Sequence, residues 1–164
     1  MTHYLKDIIP DGWRFCSSLG SKVIMVEDKE RRLGILKKGA DWLVDRLNII
    51  ESYGHTPKVY YYEPGCMILE YINGTNWKVY LDSHSVTDKL AHWYILESLK
   101  IYNDIGGHGD YVWYNVIITP DNQLKWIDLG IGNDDWDEFI NQLYMHLYRK
   151  YSKDYITNMI NRNT

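Results

Sequence analysis

His108-Gly109-Asp110-Tyr111-Val112-Trp113-Tyr114-Asn115 and, further along, Ile127-Asp128-Leu129-Gly130 are the two stretches from which the fold of this chain is read. Asp110 and Asn115 are five residues apart, and Asn115 and Asp128 thirteen. Between the latter two, the short β-rich runs Val116-Ile117-Ile118 and Leu124-Lys125-Trp126-Ile127 flank Thr119-Pro120-Asp121-Asn122, a strong turn signal. A hairpin at this point returns Asp128 to the side of Asn115. Phosphoryl transfer needs a carboxylate that accepts or orients the attacking hydroxyl, which Asp110 can supply. It also needs oxygen ligands that hold Mg²⁺ against nucleotide phosphates, which Asn115 and Asp128 can supply. Mg²⁺ prefers hard oxygen donors and keeps several of its waters, so one Asn and one Asp suffice.

Upstream of this centre the sequence reads as strands. Val23 to Val26 and Leu33 to Lys37 form a hairpin around a charged turn, Asp28 to Arg32. Asp41 to Tyr53 has helical spacing, with Leu43, Leu47 and Ile50 on one face and Gly54 as its stop. Pro57 opens an extended run, Lys58 to Tyr62; Pro64-Gly65 is a turn; Met67 to Tyr71 is a further strand. Asn73-Gly74 breaks the pattern and marks a linker. Helices follow. Ser85 with Asp88 resembles a capping box, which starts a helix near Val86 carrying Ala91, Ile95, Leu99 and Tyr102 on its apolar stripe and ending at Gly106-Gly107. Trp136, Phe139, Ile140, Leu143, Tyr144, Leu147, Tyr148 and Tyr151 then predict one final long helix, with Asp135 and Glu138 at its start. The sum is a single α+β domain over 1–164: a β-rich front lobe (about 1–72), a hinge (about 70–76) and a mostly helical back lobe (about 77–164).

Bulk properties narrow the function. Hydrophobic residues make up 45% of the 164, enough for a packed core. The net charge is −4 and the sequence pI about 5.8, which leaves no electrostatic footprint for nucleic acid or for an anionic membrane. No run approaches the ~18 apolar residues of a membrane span. Cys16 and Cys66 have no metal-ligand spacing, and a reduced, cytoplasmic chain is the simplest expectation. Asn133, Asp134, Asp135 and Asp137 read as dipole complementation at a helix start rather than as a metal cluster.

His108 to Asn115 resembles the catalytic loop of the protein-kinase-like superfamily, and Ile127-Asp128-Leu129-Gly130 resembles its metal-binding motif, with leucine in place of phenylalanine. Glycine after the histidine is similar to an atypical branch that includes the aminoglycoside phosphotransferases. The resemblance runs from about Ser17 to Tyr148 and implies a two-lobed fold binding ATP and Mg²⁺. Ile35-Leu36-Lys37 looks like the strand whose lysine contacts the α- and β-phosphates, with Lys38 as the rival. Ser17 to Val23, including Gly20 and Ser21, sits where a nucleotide-covering loop belongs. Glu70, Tyr71 and Ile72 are the hinge residues that would hold the adenine. Where the family has a glutamate on the following helix, this chain offers Asp41, Asp45 and Glu51, of which Asp45 lies mid-helix. Val112 stands where conventional protein kinases carry a lysine two residues after the aspartate.

The function this implies is transfer of the ATP γ-phosphoryl to a hydroxyl, with Asp110 as base or orienting group, Asn115 and Asp128 on Mg²⁺, and Lys37 on the phosphates with Asp45 in support. Only about four residues separate Gly130 from the last long helix, too few for an activation segment or a dedicated sugar pocket. That favours an atypical protein Ser/Thr kinase acting on, or docked to, a protein partner. A small-molecule kinase is the runner-up. A pseudokinase or ATPase serving as a partner-binding scaffold is the reading from another class.

Overall fold

Residues 23–28 and 33–38 alternate between two faces, and burial follows the alternation: Ile24, Val26 and Leu36 are fully buried while Met25 and Ile35 are partly covered. A computed structural model of the chain describes residues 3–20, 23–39, 41–44, 51–106, 112–128 and 135–163. It divides into two compact units, Met1–Ile72 and Asn73–Thr164. The architecture is α+β: a five-strand antiparallel sheet in the first unit, a three-strand sheet in the second, and helices that are mostly C-terminal.

The first unit begins with a short helix, α1 (His3–Lys6). Its sheet comprises β1 (Trp13–Ser18), β2 (Val23–Asp28), β3 (Leu33–Lys38), β4 (Val59–Glu63) and β5 (Cys66–Glu70), in the order β1-β2-β3-β5-β4. One face carries Ile24, Val26, Leu36, Cys66 and Ile68, and Leu5, Ile8, Ile9 and Trp13 close over it. Burying each large aliphatic side chain here contributes about 1.5–3 kcal/mol. Gly34 lies under Trp13 and Ile68, where a β-carbon has no room.

The β2–β3 turn is held by Asp28. Its carboxylate accepts from the amides of Glu30 and Arg32, both at 2.9 Å, and from Arg32 Nε at 2.6 Å. Burial works against the charge on Asp28, but the Arg32 amide, the Arg32 guanidinium and the Glu30 amide outweigh it, so the carboxyl sits below its ordinary range. The Pro64-Gly65 turn is tied by Asp41, which accepts from the Gly65 amide at 2.6 Å and from the Tyr62 hydroxyl at 3.3 Å.

Both border strands are bulged. Cys16 is the extra residue of β1, between Phe15 paired with Val26 and Ser17 paired with Met25. Tyr60 is the extra residue of β4, between Val59 paired with Leu69 and Tyr61 paired with Ile68.

In the second unit, β6 (Thr75–Asn76), β7 (Val116–Ile118) and β8 (Leu124–Trp126) form an antiparallel sheet in sequence order. Among the described residues four helices accompany them: α2 (Trp77–Ser83), α3 (Asp88–Ile105), α4 (Trp136–His146) and α5 (Lys153–Asn161). Trp77, Tyr94, Ile95, Trp126 and Leu143 are fully buried at the centre. The Trp77 and Tyr94 rings stack at 3.8 Å, and Trp77 Nε1 donates to the carbonyl of His146 at 2.8 Å, so the buried indole keeps a partner for its N–H.

Several expectations change. β1 is a strand, so Ser17 and Ser18, and Val23 at the other end, leave the anticipated covering loop, and residues 21–22 lie outside the described residues. The N-cap of α3 is Thr87, which accepts from the Leu90 amide at 3.2 Å, and not Ser85. The single C-terminal helix is two. After His146 the chain closes a helix-ending motif in which the Tyr148 amide donates to Met145 O and the Arg149 amide to Tyr144 O. It restarts at Ser152, which caps α5 by accepting from the Tyr155 amide at 3.1 Å. The ending motif places Tyr148 (φ 53) and Arg149 (φ 58) in the left-handed region, at a cost of about 1–2 kcal/mol for each side chain. Asp135 caps α4 as expected, accepting from the amides of Asp137 and Glu138. Asp41 opens a 3-10 turn, Asp41–Leu43, and residues 45–50 of the helix anticipated over 41–53 lie outside the described residues.

Candidate active site

The β7–β8 hairpin brings the backbone of Asn115 opposite Ile127, the residue before Asp128. Val116 pairs with Trp126, Ile117 with Lys125 and Ile118 with Leu124. The turn at its far end is locked by Thr119, whose amide donates to Gln123 O at 3.0 Å and whose Oγ1 accepts from the Gln123 amide at 3.1 Å. At the near end the ladder continues one step beyond the strands: the Ile127 amide donates to Asn115 O at 2.8 Å. Asp128 therefore follows directly on the residue paired with Asn115.

Each ligand candidate sits on specified backbone. Asn115 ends a 3-10 turn, Trp113–Asn115, and its amide donates to Val112 O at 2.8 Å. Asp128 is exposed and has φ 55, in the left-handed region, which aspartate enters more readily than most side chains. Backbone of this kind concentrates at functional sites, where a side chain must be aimed against the local preference. The chemistry of the pair, one amide oxygen and one carboxylate on adjoining backbone, fits Mg²⁺.

Aromatic groups hold the turn that carries Asn115. The Trp113 ring lies nearly parallel to the His146 imidazole, 6.3 Å away, and meets the Tyr148 ring edge-on at 5.5 Å. His146 is buried and its Nδ1 is hydrogen-bonded with the Tyr94 hydroxyl at 2.7 Å. The Tyr148 hydroxyl donates to Asp82 Oδ1 at 2.9 Å. This bond, followed by the one from Lys78, holds the Asp82 carboxyl below its ordinary value. Burial and the same bond to Asp82 push the Tyr148 hydroxyl up. Sequence reading missed this support, because Tyr148 looked like one more apolar position on a continuous helix.

In the first unit, Lys37 and Lys38 are the last residues of β3 and point to opposite faces. Lys37 pairs with Val23 on one side and Met67 on the other, and is partly covered. Lys38 is exposed and shares the face of Leu36. Gly20 is exposed, and a β-carbon there would meet nothing within 4 Å. Glu70 ties β5 to the start of β4, since its amide donates to Lys58 O at 2.8 Å and its carboxylate accepts from the Lys58 amide at 3.2 Å. Tyr71 donates its amide to Leu33 O, and Ile72 is the last residue of the unit. Asp41, one of the acids considered as the lysine's partner, is engaged by the Pro64-Gly65 turn. Asp45, Ser21 and Asp110, with the rest of the stretch 107–111, lie outside the described residues, as do Leu129 and Gly130.

No helix among the described residues is long and apolar enough to cross a membrane. No protein-family model matches the chain, and no curated protein matches it.

Proposed function

We propose that this chain is a minimal protein-kinase-like phosphotransferase that moves the γ-phosphoryl of ATP to a hydroxyl, with a protein Ser or Thr as the acceptor. The observation that carries the reading is the pairing of Asn115 with Ile127, which sets Asp128 beside Asn115 with its backbone in the left-handed region. An amide and a carboxylate residue thirteen positions apart whose backbones the hairpin sets side by side supply the donor types that a Mg²⁺-nucleotide requires of a protein. When bound, the metal offsets charge on the phosphates. On this reading Asp110 takes or orients the proton of the acceptor hydroxyl. Lys37 contacts the α- and β-phosphates with Asp45 in support, and Gly20, Ser21, Glu70 and Ile72 contribute to nucleotide binding. The short connection between Gly130 and α4 supports a protein acceptor, because few residues remain to build a small-molecule pocket.

The test is incubation with γ-labelled ATP and Mg²⁺, alone and with a cell lysate. Label in protein bands is the expected result. Label in a small molecule transfers the reading to a small-molecule kinase, and label only in free phosphate to an ATPase. No consumption of ATP leaves a non-catalytic scaffold and overturns the proposal. Asp110→Asn keeps the shape of the side chain and should slow transfer by roughly 10²-fold or more.

A further inference from the structure

The turn after α4 has a residue that its backbone does not favour. Tyr148 occupies the position of the helix-ending motif where glycine is commonest, because the backbone there is left-handed. The motif's two backbone hydrogen bonds need no side chain at this position, so the tyrosine side chain must contribute something the motif itself does not. Its contacts say what. The ring meets Trp113 edge-on, and Trp113 opens the 3-10 turn that ends in Asn115. The hydroxyl reaches across to Asp82 on α2, which Lys78 holds from the other side at 3.2 Å. The next residue but one completes the attachment, since Lys150 Nζ donates to the carbonyl of Val86 in the α2–α3 connection. The segment from Tyr148 to Lys150 thus grips α2 and the start of α3 and presses one aromatic edge on the residue two before Asn115.

We infer that Tyr148 is a positioning residue for Asn115: strained backbone is tolerated so that its ring, anchored through Asp82, can clamp Trp113 and with it the metal-ligating turn. The inference rests on the reading of Asn115 as a Mg²⁺ ligand, but the clamp has a readout of its own. A ring held edge-on and tethered by a hydrogen bond restrains the turn more than either contact alone, because each contact reduces the freedom left to the other.

Tyr148→Gly separates the clamp from ordinary stabilisation. Glycine relieves the left-handed strain but gives up the Trp113 and Asp82 contacts of a half-exposed ring, two effects of similar size, so thermal stability without ligand should change little. If the clamp operates, amide hydrogen exchange at Asn115 and Ile127 should nonetheless quicken by roughly tenfold, while exchange in the five-strand sheet is unchanged. The Mg²⁺ concentration that half-saturates ATP-dependent stabilisation should rise several-fold in the same variant. Tyr148→Phe keeps the ring and loses the tether, and should fall between; it also serves if the glycine variant folds poorly. Unchanged exchange at Asn115 and Ile127 in Tyr148→Gly overturns the inference, as does an increase spread evenly over the whole chain. Failure of the unsubstituted protein to respond to Mg-ATP counts against the nucleotide reading instead, and exchange still decides the clamp.

Discussion

The amide of Ile127 donates to the carbonyl oxygen of Asn115 at 2.8 Å, one rung beyond the last paired residues of the β7–β8 hairpin. Everything proposed for Asp128 depends on this rung, since it converts a separation of thirteen residues into adjacency.

Asp128 can be tested by two substitutions that differ only in backbone tolerance. Asp128→Ala and Asp128→Gly both remove the carboxylate, and both should lose the rise in melting temperature that Mg-ATP gives to a protein binding it only when folded. Glycine accepts φ 55 without strain and alanine does not, so the glycine variant should be the more stable by about 1 kcal/mol. Thermal scans with and without Mg-ATP read both effects. A full Mg-ATP shift in either variant removes Asp128 from the site.

Lys37 and Lys38 face opposite ways, so a pair of substitutions assigns the phosphate contact. Lys37→Met keeps length and removes charge, and should nearly abolish ATP turnover; Lys38→Met should leave it almost intact. Adding Asp45→Ala to Lys37→Met should change little, because paired residues act as a unit. Loss of turnover in Lys38→Met alone would move the assignment by one residue.

Gly34 tests the packing of the first unit. A β-carbon there would stand 2.5 Å from Ile68 Cγ2 and 3.0 Å from Trp13 Cζ3. Gly34→Ala should cost about 1–3 kcal/mol, measured by urea unfolding. A midpoint equal to that of the unsubstituted chain would mean that Ile68 and Trp13 do not rest where the structure has them.

Asp28 gives the β2–β3 turn a pH dependence of known sign. Its carboxyl lies below the ordinary value in the folded chain, so the native state binds its proton less readily than the unfolded state does. The stabilisation is full above the unfolded value of about 3.9 and is lost as pH falls through the lower folded value. Asp28→Asn should flatten the acid limb of a stability–pH profile below about pH 4 relative to the unsubstituted chain. Parallel profiles would show that the turn bonds do not discriminate between the two forms of the carboxyl.

Much of the strand order was legible in the sequence, for physical reasons. β2, β3 and β5 are interior strands whose apolar runs are bounded by punctuation such as Pro64-Gly65 ahead of β5, and the hairpin after Asn115 announces itself through Thr119 to Asn122. β1 was not legible, because the alternation of Trp13 and Phe15 with exposed Arg14 and Cys16 is short and gives way to exposed Ser17 and Ser18. α2 was missed because its seven residues bury only Trp77 and Leu81. The break after His146 was hidden because Tyr148 continues the apolar spacing and no glycine marks the stop. At the site, the turn signal from Thr119 to Asn122 gave the hairpin that sets Asn115 opposite Ile127, while the metal role of Asn115 and Asp128 belongs to the proposal. The left-handed backbone of Asp128 is only weakly signalled, since aspartate enters that region more often than most side chains but marks it less strongly than glycine.

The extra residues at Cys16 and Tyr60 bear on how this molecule behaves in a crowd. A visiting strand that tried to lengthen the sheet at either border would find the row of donors and acceptors kinked out of step within a few residues of the corner where it began. Growth by one more strand thus calls for realigning the border first, and the sheet carries its own hem on both sides.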